Sequence, residues 1–388
     1  MASIFGTIGN DSLVGGIGND TLNGGAGDDT YYINGLNDHI YDSAGDDKAI
    51  VSVSFAKIPS YIEDVEYINS AQALPYWISA LLFDKSNGNY YTNLISSDKT
   101  FLYTFPDTIP EYDDDADRAI GWTSFSQIQQ ENAVKVLTYV ETIIDVKFQE
   151  TNNSSQFNTI SMANNYQEVS GGYARAPSKN SFTGNDVWLS NNDGPETWFN
   201  AKDYNSTLAE GTIGSNVIVH ELGHAFGLKH PFTKDGNISP PPHLLGDEDH
   251  GKWTMMSYAE TTAEYKHTYS PLDIAALQYL YGVSETARTG NDTYVINENT
   301  YNFIWDGNGT DTINASALSQ GTTVYLSEGY HGFVGPTKDE KITAVGQITV
   351  NFGTVIENLT GSNFDDKLYG NSANNNITGN NGNNNLIF

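Results

Sequence analysis

The spacing of apolar residues predicts helices in the middle of the chain and short strands on either side. Residues 125–144 carry apolar side chains at helical spacing, which indicates one long helix with a buried face. Those positions are Ile128, Val134, Val136, Leu137, Val140 and Ile144. Residues 212–228 and 271–281 predict two further helices, and apolar runs at 49–55, 101–105, 159–162 and 186–189 predict strands. We therefore expect an α+β domain in the middle of the chain.

A repeat with a period of nine residues stands at each end. In the first 32 residues, glycine-rich turns open at Gly6, Gly15 and Gly24, and one apolar residue follows each turn at a fixed place. In the last 28 residues, frames open at Gly361, Gly370 and Gly379. The apolar positions are Leu13, Leu22 and Tyr31 near the start, and Leu368, Ile377 and Leu386 near the end. This pattern resembles the RTX nonapeptide, which folds as a parallel β-roll.

Acidic residues recur in register within these repeats. A carboxylate and the carbonyl groups of a glycine turn are oxygen ligands of the kind that Ca²⁺ prefers. The expected calcium ligands of the first repeats are Gly9, Asp11, Gly18, Asp20, Gly27 and Asp29. In the last repeats Asp366 occupies the same place, but Asn375 and Asn384 replace it in the next two turns. Those two turns either bind calcium weakly or stack as asparagine ladders. A flexible glycine-rich linker is the alternative for the first repeats, and their strict spacing argues against it.

Charge and composition narrow the classes of partner. The chain of 388 residues has 48 acidic and 18 basic residues, a formal net charge of −30, and no cysteine. Such a surface disfavours nucleic acid and anionic membranes and favours divalent cations. Without cysteine the chain has neither disulfides nor a thiolate nucleophile. Neither a Sec-type signal peptide nor a membrane span is apparent in the sequence. The acidic loop 247–249 is interpreted as solvated in preference to a structural calcium site.

The segment His-Glu-Leu-Gly-His at 220–224 is typical of a metal-binding helix. Side chains four residues apart lie on one helix face, so His220 and His224 can bind one ion. Gly227 allows the chain to turn, which brings His230 back as a third ligand. Three protein ligands leave an open position, as a catalytic zinc site requires. Glu221 is then placed to take a proton from the attacking water.

Chance is a serious alternative for a five-residue motif alone. Here the motif extends to H-E-x-x-H-x-x-G-x-x-H, and a Met-turn follows at residues 253–258. We expect Met256 beneath the zinc ion. The two signals together favour one catalytic Zn²⁺.

These residues resemble the serralysins, secreted bacterial zinc endopeptidases of the metzincin group. The resemblance is carried by Pro231 after the third histidine, by Met256-Ser257-Tyr258, and by the segment S-P-L-D-I-A-A-L-Q-Y-L-Y-G at 270–282. It implies that Tyr258 is a further zinc ligand that moves to hydrogen-bond the reacting carbonyl. It also implies that residues 171–177 form an edge strand that pairs with an extended peptide. An ordinary packed tyrosine and a plain edge strand are the alternatives for these two features.

The resemblance also implies calcium sites after the catalytic domain, at Asp292, Asp306 and Asp311. It further implies export by a type I secretion apparatus, although Asn385 departs from the acidic residue that family members carry near the end. Serralysins carry their repeats behind the protease domain, whereas this chain has repeats at both ends. Our hypothesis is that the two sets of turns complete a single roll.

We expect three domains. Residues 1–70 form the first repeats and their β-rich continuation, 71–284 form a metzincin catalytic domain with a twisted sheet and an active-site helix, and 285–388 form a second RTX-like roll. The expected function is secreted, extracellular, calcium-stabilised zinc endopeptidase activity on proteins or peptides, exerted by a monomer. The alternative is a calcium-dependent structural or adhesive module whose protease domain is latent or vestigial. The cleavage preference and any removal of the first repeats stay open.

Overall fold

The computed structural model describes residues 2–59, 61–83, 99–110, 119–156, 159–167, 170–175, 185–191, 201–234, 237–259 and 265–388. The chain divides into two compact units, Met1–Asn89 and Tyr90–Phe388. Within the described ranges, we find no helix with both the length and the apolar character needed to span a bilayer. The predicted domain boundaries at 70 and 284 stay predictions, as does the hypothesis of a single shared roll.

The first unit is a roll of parallel strands. Its elements are β1 (Ser3–Phe5), β2 (Ser12–Val14), β3 (Thr21–Asn23), β4 (Thr30–Ile33), β5 (His39–Tyr41), β6 (Lys48–Val51), β7 (Asp64–Tyr67) and α1 (Tyr76–Ser79). Strands β1 to β6 alternate between two sheets, and β7 then joins the sheet of even strands next to β6, so the two orders are β1-β3-β5 and β2-β4-β6-β7. Each nonapeptide therefore supplies one strand and one turn, and residues 18 apart share a sheet. Strands β5, β6 and β7 extend the two sheets beyond Tyr31.

Apolar side chains stack in rows between the two sheets. Leu22 pairs with Ile4 on one side and Ile40 on the other, while Leu13 pairs with Tyr31 in the opposite sheet. Leu22 and Tyr31 are both 0% exposed. Because side chains alternate across a strand, the middle residue of each three-residue strand faces inward and its neighbours face out. This periodic burial explains why one apolar residue per nonapeptide is enough to build the core.

The first half of the second unit is a mixed sheet with helices. Its strands are β8 (Thr100–Thr104), β9 (Thr123–Ser124), β10 (Lys147–Glu150), β11 (Thr159–Asn165), β12 (Gly172–Ala174), β13 (Asn185–Ser190), β14 (Thr233–Lys234) and β15 (Asn237–Ile238). Its helices are α2 (Gln127–Glu141), α3 (Ala201–Tyr204), α4 (Ile213–Ala225) and α5 (Pro271–Tyr281), with a 3₁₀ turn at Gly246–Glu248. The main sheet runs in the order β10-β8-β11-β13-β12. Strand β12 pairs antiparallel with β13 and forms one edge, as expected for residues 171–177, of which 176 and 177 lie outside the described residues.

The first long helix is shorter than predicted. Ser126 and Gln129 form a capping box that starts α2, and the helix ends at Glu141. Ile143 and Ile144 are buried just beyond it, in the turn that follows. Their apolar character continued the helical pattern although the backbone had already left the helix.

The second half of this unit is another roll. Its strands are β16 (Thr293–Val295), β17 (Asn302–Ile304), β18 (Thr312–Asn314), β19 (Thr322–Tyr325), β20 (Gly332–Val334), β21 (Gln347–Val350), β22 (Asn358–Thr360), β23 (Lys367–Tyr369), β24 (Asn376–Thr378) and β25 (Asn385–Ile387). The sheets have the orders β16-β18-β22-β24 and β17-β21-β20-β19-β23-β25. All pairings are parallel except those of β20, so this roll departs from the expected all-parallel form at one strand.

A buried carboxylate joins the acidic loop to this second roll. Glu248 is 0% exposed, and its Oε1 accepts hydrogen bonds from the Thr343 N–H at 3.2 Å and hydroxyl at 3.0 Å. Its other oxygen accepts from the Leu245 N–H at 3.1 Å. The interpretation of 247–249 as a solvated loop is therefore wrong for Glu248, because the side chain finds its partners in a distant segment. Asp247 is exposed, as expected.

Candidate functional site

Helix α4 and the turn after it position three imidazoles around one point. The helix ends in a Schellman motif: Gly227 has φ 104°, the Leu228 N–H donates to the Gly223 carbonyl at 2.9 Å, and the Gly227 N–H donates to the His224 carbonyl at 3.0 Å. The chain then reverses and returns His230 to the helix face that carries His220 and His224. The His230 Nε2 lies 3.1 Å from the Nε2 of each of the other two.

Hydrogen bonds at the far side of two rings direct these nitrogens. His220 Nδ1 donates to the Met255 carbonyl at 2.7 Å, and His224 Nδ1 donates to the Leu228 carbonyl at 2.8 Å. Each Nε2 is therefore the unprotonated nitrogen that a metal needs. Burial lowers the pKa of His220 to about 4 and that of His230 to about 3. Neutral, converging imidazole nitrogens fit one zinc ion, whose ligands at about 2.0–2.1 Å lie about 3.3 Å apart in a tetrahedral site.

Glu221 lies between the histidines and the edge strand β12. The side chain is 6% exposed, and burial raises its pKa to about 8. A Cβ added at Gly172 would lie 3.2 Å from Glu221 Oε1, so only a glycine lets the strand come this close to the carboxylate. A bound divalent cation would favour the ionised form by its charge. The position suits a general base between a metal and a strand-paired peptide.

Tyr258 lies beside the imidazole cluster, and Met256 packs against helix α4. The Tyr258 ring is 49% exposed, with its centroid 4.7 Å from that of His230 and 5.7 Å from that of His220. Met256 is 0% exposed and packs against the helix, where a Cβ added at Gly223 would lie 2.7 Å from its Sδ. The half-exposed tyrosine ring is therefore close to the histidines, and the position of Met256 beneath a zinc ion stays a prediction.

Two groups of three carboxylates lie in the rolls, one in each unit. Asp29 comes together with Asp42 and Asp47, and the three expected residues Asp292, Asp306 and Asp311 come together in the second unit. In each group one oxygen is buried without a hydrogen-bond partner among the described residues, Asp29 Oδ2 and Asp311 Oδ2. Converging carboxylates with an unpartnered buried oxygen fit a cation of the calcium type.

The two groups are built alike. The Tyr31 hydroxyl donates to Asp42 in the first unit, and the Tyr294 hydroxyl donates to Asp306 in the second. Burial and neighbouring carboxylates raise the pKa of Asp47 and that of Asp311 to about 6. Holding these groups ionised therefore costs free energy, which a bound cation would offset.

The other expected calcium residues lie in the turns but not in such groups among the described residues. Asp11 accepts hydrogen bonds from Thr7, and Asp20 accepts one from the Gly16 N–H at 2.8 Å. Asp366 accepts one from the Thr322 N–H at 2.9 Å. Gly18 and Gly27 have positive φ, and their carbonyls point at the glycines of the next coil, whereas Gly9 lies in the exposed first turn.

Asparagine fills the acidic position in the last two turns. The Asn384 side-chain oxygen accepts a hydrogen bond from the Asp366 N–H at 3.0 Å, as an aspartate would. Its amide nitrogen donates to the carbonyls of Gly379, Asn380 and Asn381 at 2.8, 3.4 and 3.2 Å. The amide thus donates to the same turn carbonyls that a calcium ion would use, which favours the asparagine-ladder alternative for this turn.

Some residues of these sites were not found from the sequence. Asp42 and Asp47 begin and end a turn that stands 18 residues after Gly24–Asp29, so the doubled repeat period could have revealed them. Asp273, which holds the Met-turn, lies three residues after Ser270 in a capping box that was visible in the sequence. Its contact with the turn depends on tertiary packing, and no local pattern indicates it.

Known proteins are similar to the repeats and to much of the rest of the chain. Four copies of the RTX calcium-binding nonapeptide repeat match residues 5–38 and 353–387. A serralysin of Proteus mirabilis is 31% identical over 280 residues, which are 63% of this chain and 54% of that protein. The chain is similar to serralysins. The resemblance expected from the zinc motif is thus confirmed, and the RTX match indicates calcium binding.

Two other relatives define how far the similarity extends. Serralysin B of Dickeya chrysanthemi is 34% identical over 199 residues, 44% of this chain and 39% of that protein. A serralysin of Photorhabdus laumondii subsp. laumondii is 26% identical over 376 residues, 81% of this chain and 72% of that protein. The chain thus spans about half or less of the first two relatives, and 72% of the third. A protease domain with a β-roll fits this similarity to serralysins.

Proposed function

We propose that this chain is a secreted zinc endopeptidase stabilised by calcium. The observation that carries the proposal is the convergence of His220, His224 and His230 beside the buried carboxylate of Glu221, with the His230 Nε2 3.1 Å from the Nε2 of each of the other two. Similarity to serralysins supports it. Proteins or peptides are the proposed substrates, the chain acts as a monomer outside the cell, and a type I secretion apparatus exports it.

Strand β12 binds the substrate and Glu221 moves the proton. An extended peptide pairs with β12 on the side away from β13, which brings its scissile carbonyl beside the histidines. Zinc, when bound by the three histidines, supplies Lewis-acid activation of the water and the carbonyl. Glu221 takes a proton from the attacking water and passes it to the departing amine. Tyr258, on the exposed side, donates its hydroxyl to the developing oxyanion.

Calcium binds the two carboxylate groups and stabilises the rolls. One site uses Asp29, Asp42 and Asp47, and the other uses Asp292, Asp306 and Asp311. Asp11, Asp20 and Asp366, with the turn carbonyls of Gly9, Gly18 and Gly27, complete the weaker sites that the repeat pattern predicts. Cation binding that favours the folded state raises stability in proportion to the logarithm of its concentration.

Casein hydrolysis tests the proposal. We expect the purified chain in millimolar calcium to cleave casein, and a zinc-selective chelator to abolish cleavage until zinc is restored. Glu221→Gln keeps the size of the side chain but cannot accept the proton, so it should lower kcat by at least two orders of magnitude while zinc content stays the same. Tyr258→Phe should reduce kcat and leave KM nearly unchanged. A folded, zinc-loaded protein that cleaves no casein or peptide library would favour the vestigial, adhesive alternative.

A further inference from the structure

A chain of hydrogen bonds links a buried carboxylate to the zinc-binding histidines. Asp273 is the third residue of α5 and is 0% exposed. Its Oδ1 accepts the Thr254 hydroxyl proton at 2.6 Å, and Thr254 Oγ1 in turn accepts the Met256 N–H at 3.1 Å. That N–H belongs to the peptide whose carbonyl, on Met255, accepts the His220 Nδ1–H at 2.7 Å. The order is carboxylate, hydroxyl, peptide and imidazole.

Every donor in this series of hydrogen bonds points towards the carboxylate. The polarisation of one bond therefore strengthens the next, as far as His220. A carboxylate that accepts the Thr254 hydroxyl proton makes the hydroxyl oxygen a stronger acceptor for the Met256 N–H. That bond increases the negative charge on the Met255 carbonyl in the same peptide, because the two ends of a peptide polarise together. A stronger acceptor at Nδ1 makes the opposite nitrogen of His220 a better metal ligand, as carboxylate partners of metal-bound histidines do.

The second carboxylate oxygen fixes the same turn mechanically. Asp273 Oδ2 accepts the Met255 N–H at 2.6 Å and the Ser270 N–H at 3.1 Å. Residue Met255 is thereby held at both ends, by Asp273 at its nitrogen and by His220 at its carbonyl. Burial raises the pKa of Asp273 to about 7, while the three donated hydrogen bonds and the helix N-terminus favour the ionised form. The Asp273 side chain thus fixes the backbone at Met255 and, through it, the orientation of His220.

We propose that Asp273 and Thr254 are positioning residues that tighten zinc binding through the Met255–Met256 peptide. The proposal rests on the zinc site of the proposed function, but it concerns metal affinity and not the reaction. It predicts that a variant which breaks the chain at Thr254 weakens zinc binding even when every histidine is intact.

Zinc affinity, measured by competition with a chelating dye and without substrate, tests the proposal. Thr254→Val keeps the shape of the side chain and removes the hydroxyl, and we expect about a tenfold weaker zinc affinity. Asp273→Asn should weaken it to a similar degree, because its amide cannot accept the Thr254 proton and the Met255 N–H together. Thr254→Ser restores the hydroxyl and should return the affinity to within about twofold of the wild type.

Ser270→Ala is the matched control. It removes the side-chain hydrogen bond from Ser270 to the Gly251 carbonyl and the capping of the Asp273 backbone N–H, and it keeps the side-chain hydrogen bonds that lead from Asp273 through Thr254 to His220. We expect lower thermal stability with unchanged zinc affinity. If zinc affinity in all the variants follows their loss of thermal stability, or if Thr254→Val binds zinc as the wild type does, the proposal is overturned.

A spectroscopic measurement on the wild-type protein covers the case in which the variants do not fold. The His220 Nδ1–H resonance of the zinc-loaded protein should lie far downfield and exchange slowly with solvent. A rapidly exchanging proton at that nitrogen would overturn the proposal. A wild-type chain that binds no zinc would refute the proposed function, whereas a zinc-binding chain without peptidase activity would refute only the enzymatic part.

Discussion

Asp311→Asn separates the cost of a buried charge from the benefit of calcium. Asp311 is 0% exposed, and burial together with Asp306, Glu357 and Asp292 raises its pKa from 3.8 to about 6. An asparagine keeps the oxygen that accepts the Asp292 N–H at 2.7 Å and removes the charge. The last turns of the same roll already use asparagine at this place of the repeat.

The expected change differs between calcium-free and calcium-loaded protein. Above pH 7, a pKa shift of about two units corresponds to about 3 kcal/mol, so we expect Asp311→Asn to raise the calcium-free free energy of unfolding by about 1–3 kcal/mol. Calcium should stabilise the variant less than the wild type. At 100- to 1,000-fold excess over Kd, one lost site removes about 2.7–4.1 kcal/mol of stabilisation.

Denaturant unfolding in EDTA and in millimolar calcium measures both quantities, and calorimetric titration counts the sites. Asp107→Asn is the control, because it makes the same change of net charge at an exposed position in the first half of the same unit. A variant that is less stable than the wild type in EDTA, or that keeps the full stabilisation by calcium, would refute this account of the cluster.

Three further outcomes follow from other contacts. Without calcium, the raised pKa of Asp47 and of Asp311, each about 6 against 3.8 unfolded, means that the folded state binds more protons. Stability in EDTA should therefore fall as pH rises from about 4 to about 7, and a flat thermal-melting profile would contradict this. Asn384→Asp should lower the free energy of unfolding in EDTA by about 1–2 kcal/mol, because the side chain no longer donates hydrogen bonds to the carbonyls of its own turn. The same variant should bind one more calcium ion in the calorimetric titration. Gly223→Ala should lower the free energy of unfolding of the zinc-free protein by about 1–2 kcal/mol, since the new Cβ would lie 2.7 Å from Met256 Sδ. The higher helix propensity of alanine offsets only part of that strain. A denaturant midpoint equal to that of the wild type would contradict this prediction and show that Met256 moves to accept the added methyl group.

The zinc ligands could be predicted because the contacts that bring them together are local. His220 and His224 share a helix face, and Gly227 sits where a Schellman turn requires positive φ. The rolls could be predicted for a similar reason, since every turn repeats the same short pattern. In both cases a few residues near in sequence determine the geometry.

Contacts between distant segments were not accessible in the same way. The sequence predicts that Glu248 belongs to a solvated acidic loop, because its hydrogen-bond donor Thr343 lies 95 residues away. Asp42 stands where the repeat normally has glycine, so the pattern concealed a carboxylate that completes a group with Asp29. The early end of α2 was concealed by Ile143 and Ile144, whose burial reflects packing after the helix.

The alternation of strands between two sheets makes eighteen residues, and not nine, the natural step by which such a roll can lengthen or shorten. Asp29, Asp38 and Asp47 each accept the backbone N–H of the residue 18 positions earlier, at 2.7, 2.8 and 2.9 Å. An internal duplication of two repeats would leave every such bond and every apolar row continuous. An internal duplication of one repeat would carry all later strands to the opposite sheet. Duplications or deletions that preserve these rolls should therefore involve an even number of repeats.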